Sequence, residues 1–204
     1  MSTQPTPFLT PERYLEIERV ADFKSEYFDG EMFAMAGARL AHNLIVTNAV
    51  RELGNQFRQR PCQVYASEMR VRVSATGLYT YPDIIGVCGE PQFVDRQQDT
   101  LLNPSLLAEV LSPSTEAYDR GRKFDHYKTV ESLREYLLIA TDRVHIDLYT
   151  QQTDGRWLLT SAGSLEETVT LESVGAVLTL AALYEKLEFP AGSGEKPPES
   201  AGVR

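Results

Sequence analysis

Two short apolar segments, each interrupted by a single acid, constrain this chain more than any other feature. They are Tyr81-Pro82-Asp83-Ile84-Ile85 and Leu107-Ala108-Glu109-Val110-Leu111-Ser112. Both have the length and apolar character of β-strands. A carboxylate inside such a strand is costly unless something neutralises it. Two acids on neighbouring strands have an obvious shared partner, a divalent cation. Hard carboxylate oxygens suit Mg²⁺ or Mn²⁺, which keep water ligands and take up phosphate oxygens. That arrangement supports metal-assisted phosphodiester hydrolysis. The competing readings are a buried Glu109–Arg ion pair and an Asp83 that ends a turn after Pro82.

The chain has 204 residues and a formal net charge of −9. The length predicts one domain, over 8–189, with flexible tails at 1–7 and 190–204. The charge argues against a nonspecific nucleic-acid binder. It leaves room for a nuclease whose metal and local basic groups offset the repulsion. Arg51, Arg58, Arg60, Arg70 and Arg72 form one candidate basic segment. The alternative is a solvated helix face followed by an exposed strand. Cys62 and Cys88 lie beside apolar residues without a metal-binding pattern, which predicts reduced, buried thiols in a cytoplasmic protein. No run of apolar residues is long enough for a transmembrane helix, so no membrane partner is expected.

Thr10-Pro11-Glu12 opens a helix through about Val20, with threonine as cap and proline in the first turn. Glu26 to Ala34 alternates around Asp29-Gly30, a hairpin signal. Ala38 to Arg60 carries Val46, Ala49, Val50, Leu53 and Phe57 on one helical face, extended by Leu40 and Leu44. Strands are predicted at Cys62–Ala66, Met69–Val73, Tyr81–Cys88 and Ser105–Leu111, with a loop over Glu90–Asn103. A helix over Tyr118–Val130 then crosses to a strand at Arg134–Ala140, parallel to the one bearing Glu109. Val144–Thr150, Arg156–Ser161 and Thr168–Leu171 read as antiparallel additions that extend the sheet or pair two subunits, and Leu180–Leu187 as a closing helix.

The ordered pieces Glu26-Tyr27-Phe28-Asp29-Gly30-Glu31, His42, Tyr81-Pro82-Asp83, Glu109 through Thr115, Asp119, Lys123 and Tyr127 resemble the Uma2-type branch of the PD-(D/E)XK nuclease superfamily. The resemblance implies an α/β fold of the restriction endonuclease-like kind, with a mixed, mainly antiparallel central sheet flanked by helices. It implies Asp83 and Glu109 as ligands of Mg²⁺ or Mn²⁺, a nucleic-acid substrate (DNA before RNA) and a homodimer.

One position departs from the superfamily pattern. Residues 109 and 111 share a strand face. The pattern places a lysine at the second of them, where this chain has Leu111. The resemblance makes Lys123 the migrated substitute, which would orient the attacking water and stabilise charge on the phosphate oxygens. The other reading of Lys123 is a surface lysine paired with Asp119, and Lys128 is the alternative cation. His42 falls with Val46, Ala49 and Leu53 on the inner face of its helix. It serves either as a core histidine or as a residue that holds a metal-bound water or receives its proton. Of Glu26 and Glu31, Glu26 is favoured as a supporting carboxylate. Ser112 to Thr115 lacks the glycines of a nucleophile elbow and reads as a helix-starting turn. Tyr65, Tyr79, Tyr81 and Trp157 are either core or base-stacking residues.

The favoured function is metal-dependent cleavage of nucleic acid. Leu111 and the acidic charge leave open a non-catalytic nucleic-acid-binding or protein-binding module. A structural protein with ion-paired buried acids is the third class.

Overall fold

Local chemistry sets the N-terminal elements in the computed structural model, which describes residues 8–189. The expected tails lie outside these residues. The Thr10 side chain accepts a hydrogen bond from the Arg13 N–H and caps α1 (Pro11–Glu18). Asp29 and Gly30 both take positive φ, 49° and 84°. That is the geometry a two-residue hairpin needs between β1 (Ser25–Phe28) and β2 (Glu31–Ala34). The long helix α2 runs Leu40–Phe57 and buries Ile45, Ala49, Leu53 and Phe57. Leu40 is 75% exposed, against expectation, because the buried stripe starts only at Ile45.

Next come β3 (Cys62–Ala66), β4 (Arg70–Val73), β5 (Leu78–Thr80), β6 (Ile84–Cys88), β7 (Thr100–Leu101) and β8 (Leu106–Val110). The expected strand Tyr81–Cys88 thus starts only at Ile84, and the residues before it, Leu78–Thr80, belong to a different sheet. The chain leaves one sheet at Thr80 and joins the other at Ile84. Pro82, with no N–H to give a ladder, sits at the junction. The expected loop at 90–103 contains the short β7.

After β8 the chain forms a helical segment in three pieces. These are α3 (Glu116–Tyr118), a π-helical turn (Asp119–Lys123) and α4 (Phe124–Tyr127). It returns as β9 (Glu135–Ile139), β10 (Ile146–Gln151) and β11 (Trp157–Ala162). A separate hairpin, β12 (Thr168–Leu171) with β13 (Ala176–Thr179), precedes α5 (Leu180–Leu183). The second strand of that hairpin was not expected, and α5 is shorter than the predicted helix.

The large sheet has the order β11-β10-β9-β8-β6-β3 and a single parallel pair, β8 with β9. It is therefore mixed and mainly antiparallel, as expected. A smaller sheet runs β2-β1-β5-β4-β7. Cores lie on both faces of the large sheet. Leu106, Ala108 and Val110 of β8 pack with Ile45, Leu53, Leu137 and Leu178. Leu107 and Leu111 pack on the opposite face with Val71, Leu78, Tyr127 and Leu138. By strand alternation Glu109 shares this second face, so its carboxylate lies between the large sheet and the layer of α4 and the small sheet. Among the described residues no helix is long and apolar enough to cross a membrane.

Cys62 and Cys88 are not free thiols. They oppose each other across β3 and β6 and form a disulfide. The bond removes the reduced-thiol argument on which the cytoplasmic expectation rested. It closes a sequence separation of 26 residues. Reduction should therefore lower stability by about 3 kcal/mol, through the freed unfolded chain. Urea midpoints with and without dithiothreitol test this. A midpoint that does not move, in a chain whose thiols are shown to be reduced, would refute it.

Candidate active site

The ladder between β6 and β8 brings the two predicted acids together. Its last pair is Ile84 opposite Ala108. One further step puts Asp83 across from Glu109 on the same face. Asp83 has just left the strand, and its Oδ2 accepts the Val110 N–H at 2.8 Å. The bond ties the Asp83 carboxylate to the strand that carries Glu109. His42 Nε2 lies 3.0 Å from the same oxygen. The inward face of α2 thus delivers His42 to the site, where its Nδ1 is buried with no partner among the described residues.

Glu109 is only 4% exposed. Its Oε1 accepts the Tyr127 hydroxyl at 2.7 Å and lies 3.0 Å from the Lys123 ammonium. Lys123 also reaches Glu26 Oε1 at 3.4 Å and Asp119 Oδ1 at 3.6 Å. At 5% exposure it is no surface lysine, although its i,i+4 contact with Asp119 does form. Glu26 is brought from β1 and accepts the Thr80 hydroxyl. Glu31, its rival, is exposed on β2. Lys128 pairs with Asp125 outside the site.

One short helical segment supplies much of the site. Asp119 and Lys123, at i and i+4, share one helical face and are buried together. Between them Arg120 turns outward to Glu116 at 2.8 Å and Asp147 at 2.6 Å, which fastens the turn to β10. The Tyr136 hydroxyl donates to the Asp119 carbonyl at 3.0 Å.

Burial raises the Glu109 carboxyl well above the usual carboxylate range, with Lys123 pulling the other way and Asp119 and Asp83 adding to the rise. Burial likewise raises Asp119 against the Lys123 charge. Burial acts to lower Lys123, but Glu109, Glu26 and Asp119 outweigh it and hold the ammonium well above the ordinary lysine range. Lys123 is therefore a permanent internal cation at neutral pH.

Each predicted ligand has one oxygen engaged within the protein, Asp83 Oδ2 and Glu109 Oε1. Asp83 Oδ1 and Glu109 Oε2 have no hydrogen-bond partner among the described residues. Two hard oxygens beside a partly open acid fit Mg²⁺ or Mn²⁺ that keeps water in its other positions. They do not make a closed cage: among the described residues no three His, Cys, Asp or Glu side chains are disposed to hold a metal.

Other sequence expectations resolve differently. Three of the five arginines of 51–72 are engaged within the protein. Arg70 is buried and bonded to Thr100, Tyr81 and Asp99, so β4 is not an exposed strand either. Arg51 pairs with Glu52 and Glu185, and Arg60 donates to the carbonyls of Val174 and Gly175. Tyr79 and Tyr81 are core residues, and Tyr65 and Trp157 pack against the core. Ser112 bonds only within its turn, to Ser114 and Thr115. Leu111 is 3% exposed in the second core, so the position of the usual lysine is filled with apolar packing. Residue reading missed Thr80 and the Val110 N–H. Tyr127 appeared as a matching position without an assigned contact, and Asp119 otherwise only as the partner of a surface Lys123.

Comparison with known proteins bears on the family and the fold. The Uma2 family profile, described as "Putative restriction endonuclease", matches residues 11–182. The uncharacterized protein sll1609 of Synechocystis is 39% identical over 155 residues, covering 76% of this chain and 88% of that protein. Uncharacterized protein slr1290 of the same organism is 37% identical over 186 residues, covering 91% and 96%. A crystal structure described as a "putative nuclease belonging to DUF820" from Anabaena variabilis superposes with a TM-score of 0.71 at 18% identity, covering 86% of this chain and 97% of that one. At that identity the likeness concerns the fold.

Proposed function

Because this chain belongs to the Uma2 family, we propose that it is a metal-dependent endonuclease that hydrolyses nucleic-acid phosphodiester bonds, DNA before RNA, as a homodimer. The observation that carries the reading is the buried Lys123 ammonium 3.0 Å from Glu109, on the strand face where Leu111 stands in place of the usual lysine.

Asp83 and Glu109 would hold Mg²⁺ or Mn²⁺. Bound there, the ion would supply an acidified water and charge stabilisation at the phosphate. The protein groups do the rest. The Val110 N–H and His42 fix Asp83 Oδ2, which leaves Oδ1 directed by a rigid strand end. Tyr127 fixes Glu109 in the same way. Lys123, held charged by its acids, orients the attacking water and opposes the negative charge that builds on the phosphate oxygens. Glu26 and Asp119 position Lys123 and do not touch the reacting atoms. His42 donates from Nε2 to Asp83 Oδ2 and so positions that carboxylate.

Leu111 and the net charge of −9 favour a second reading, a binding module on a nuclease fold. Incubation of the full chain with single- and double-stranded DNA and with RNA separates the two. Cleavage should appear with Mn²⁺ or Mg²⁺ and vanish with a chelator. Metal-independent cutting, or binding without cutting on every substrate, would sink the nuclease reading.

A further inference from the structure

Most sheet edges among the described residues are short, charged or capped. Strand β2 is four residues long and includes Glu31, and β7 has two residues. β3, at the opposite end of the large sheet, has five residues and packs Val64 on the core that contains Leu53 and Phe57 of α2. β12 is flanked by Glu167 and Glu172. On β13, Gln56 reaches across to accept from the Val177 N–H at 2.9 Å and to donate to the Val177 carbonyl at 2.8 Å. Short length, charge and capping are the usual protections against strand pairing.

β11 has none of them. Its six residues, Trp157–Ala162, include no charge and no proline. It pairs only with β10, in unbroken register, and its outer backbone groups meet no partner among the described residues. Leu158 and Leu159 are 52% and 47% exposed and point to opposite faces of the sheet. In a chain with 24% charged residues, such a bare strand at the end of the main sheet is a pairing surface.

We propose that β11 pairs antiparallel with β11 of a second copy, joining two large sheets edge to edge across a two-fold axis. An isologous contact needs a patch that complements itself, and three features meet that need. An uncharged strand brings no like charges together. Each copy supplies the N–H and C=O groups that the other lacks. Antiparallel pairing also sets the start of one strand against the end of the other. There Arg156, exposed and paired only with exposed Asp154, meets the Glu167 carboxylate. That carboxylate is fixed at the far end by the Gly163 and Ser164 N–H groups at 2.7 and 2.8 Å. Symmetry makes this contact twice. The assembly does not depend on whether the chain cuts nucleic acid.

The test is light scattering after size exclusion, with sedimentation equilibrium, on the full chain. Wild type should show twice the monomer mass of 22.9 kDa. Leu159→Lys and Thr160→Lys should each raise the dimer dissociation constant at least about tenfold. Val177→Lys, at an equally exposed position on the capped strand β13, should leave it unchanged. Arg156→Glu, at a largely exposed side chain, gives a second reading should a lysine variant fail to fold, and it too should weaken the dimer. A wild type that stays monomeric at the highest attainable concentration would overturn the proposal, including one whose β11 takes a strand from another protein. So would a dimer that survives all of the β11 and Arg156 substitutions.

Discussion

Glu109→Gln should abolish metal-dependent cutting, lowering the rate by several orders of magnitude, while the protein stays folded. The substitution keeps the shape of a side chain that is 4% exposed in a packed core, so it opens no cavity. The amide oxygen can still accept the Tyr127 hydroxyl. Lys123 loses one carboxylate but keeps Glu26 and Asp119 within 3.4 and 3.6 Å. What is lost is the second hard, charged oxygen facing Asp83, and with it the metal that activates water and offsets phosphate charge. Initial cutting rates with Mn²⁺, alongside circular dichroism, measure both halves of the expectation. A folded variant that cuts at the wild-type rate would remove Glu109 from the site. Asp83→Asn is a poorer probe, because the same carboxylate oxygen also ties the end of β6 to the Val110 N–H.

What the sequence revealed was whatever local chemistry determines. Asp29-Gly30 announced its hairpin because few residue pairs tolerate positive φ twice in succession. Asp83 and Glu109 stood out because a lone acid in an apolar strand requires a partner. The parallel strand at Glu135–Ile139 followed from a helix between two apolar runs. The misses share a cause, which is dependence on tertiary register. Leu78–Thr80 and Ile84–Cys88 lie in different sheets, and only Pro82 between them hinted at the break. The Cys62–Cys88 bond exists because β3 and β6 align those residues, and residue spacing does not disclose that alignment. The same holds for the Val110 N–H, a backbone group with no sequence mark. Lys123 is the subtlest case. Its i,i+4 spacing from Asp119 suggests a solvated pair. The face they share packs inward instead, and a buried ammonium among three carboxylates results.

That internal cation carries the other large effect. Lys123→Met should cost about 3–5 kcal/mol at neutral pH, the penalty of leaving buried charge without its partner. Methionine fills the space of the lysine stem, so the loss is electrostatic and not a cavity. Glu109, Glu26 and Asp119 then face one another with no positive charge between them. The direction of the pH dependence follows from the shifts. Glu109 and Asp119 are already raised above their ordinary range with Lys123 present, and its removal raises them further. A carboxyl whose folded pKa is raised favours the folded state below its unfolded pKa, and that contribution is lost as pH rises through the folded value. The variant should therefore gain stability steadily as pH falls from neutral towards the ordinary carboxylate range. Wild-type Lys123 is shifted upward too. Its contribution is complete below the unfolded lysine pKa and disappears only in strong alkali. Mn²⁺ should also stabilise the variant, because a ligand that binds only the folded form adds to its stability. Urea midpoints across the pH series, with and without Mn²⁺, would measure these effects. If Lys123→Met were as stable as wild type at neutral pH, Lys123 could not be the charge that holds the three acids together. The loss of cutting expected of the same variant would then need another cause.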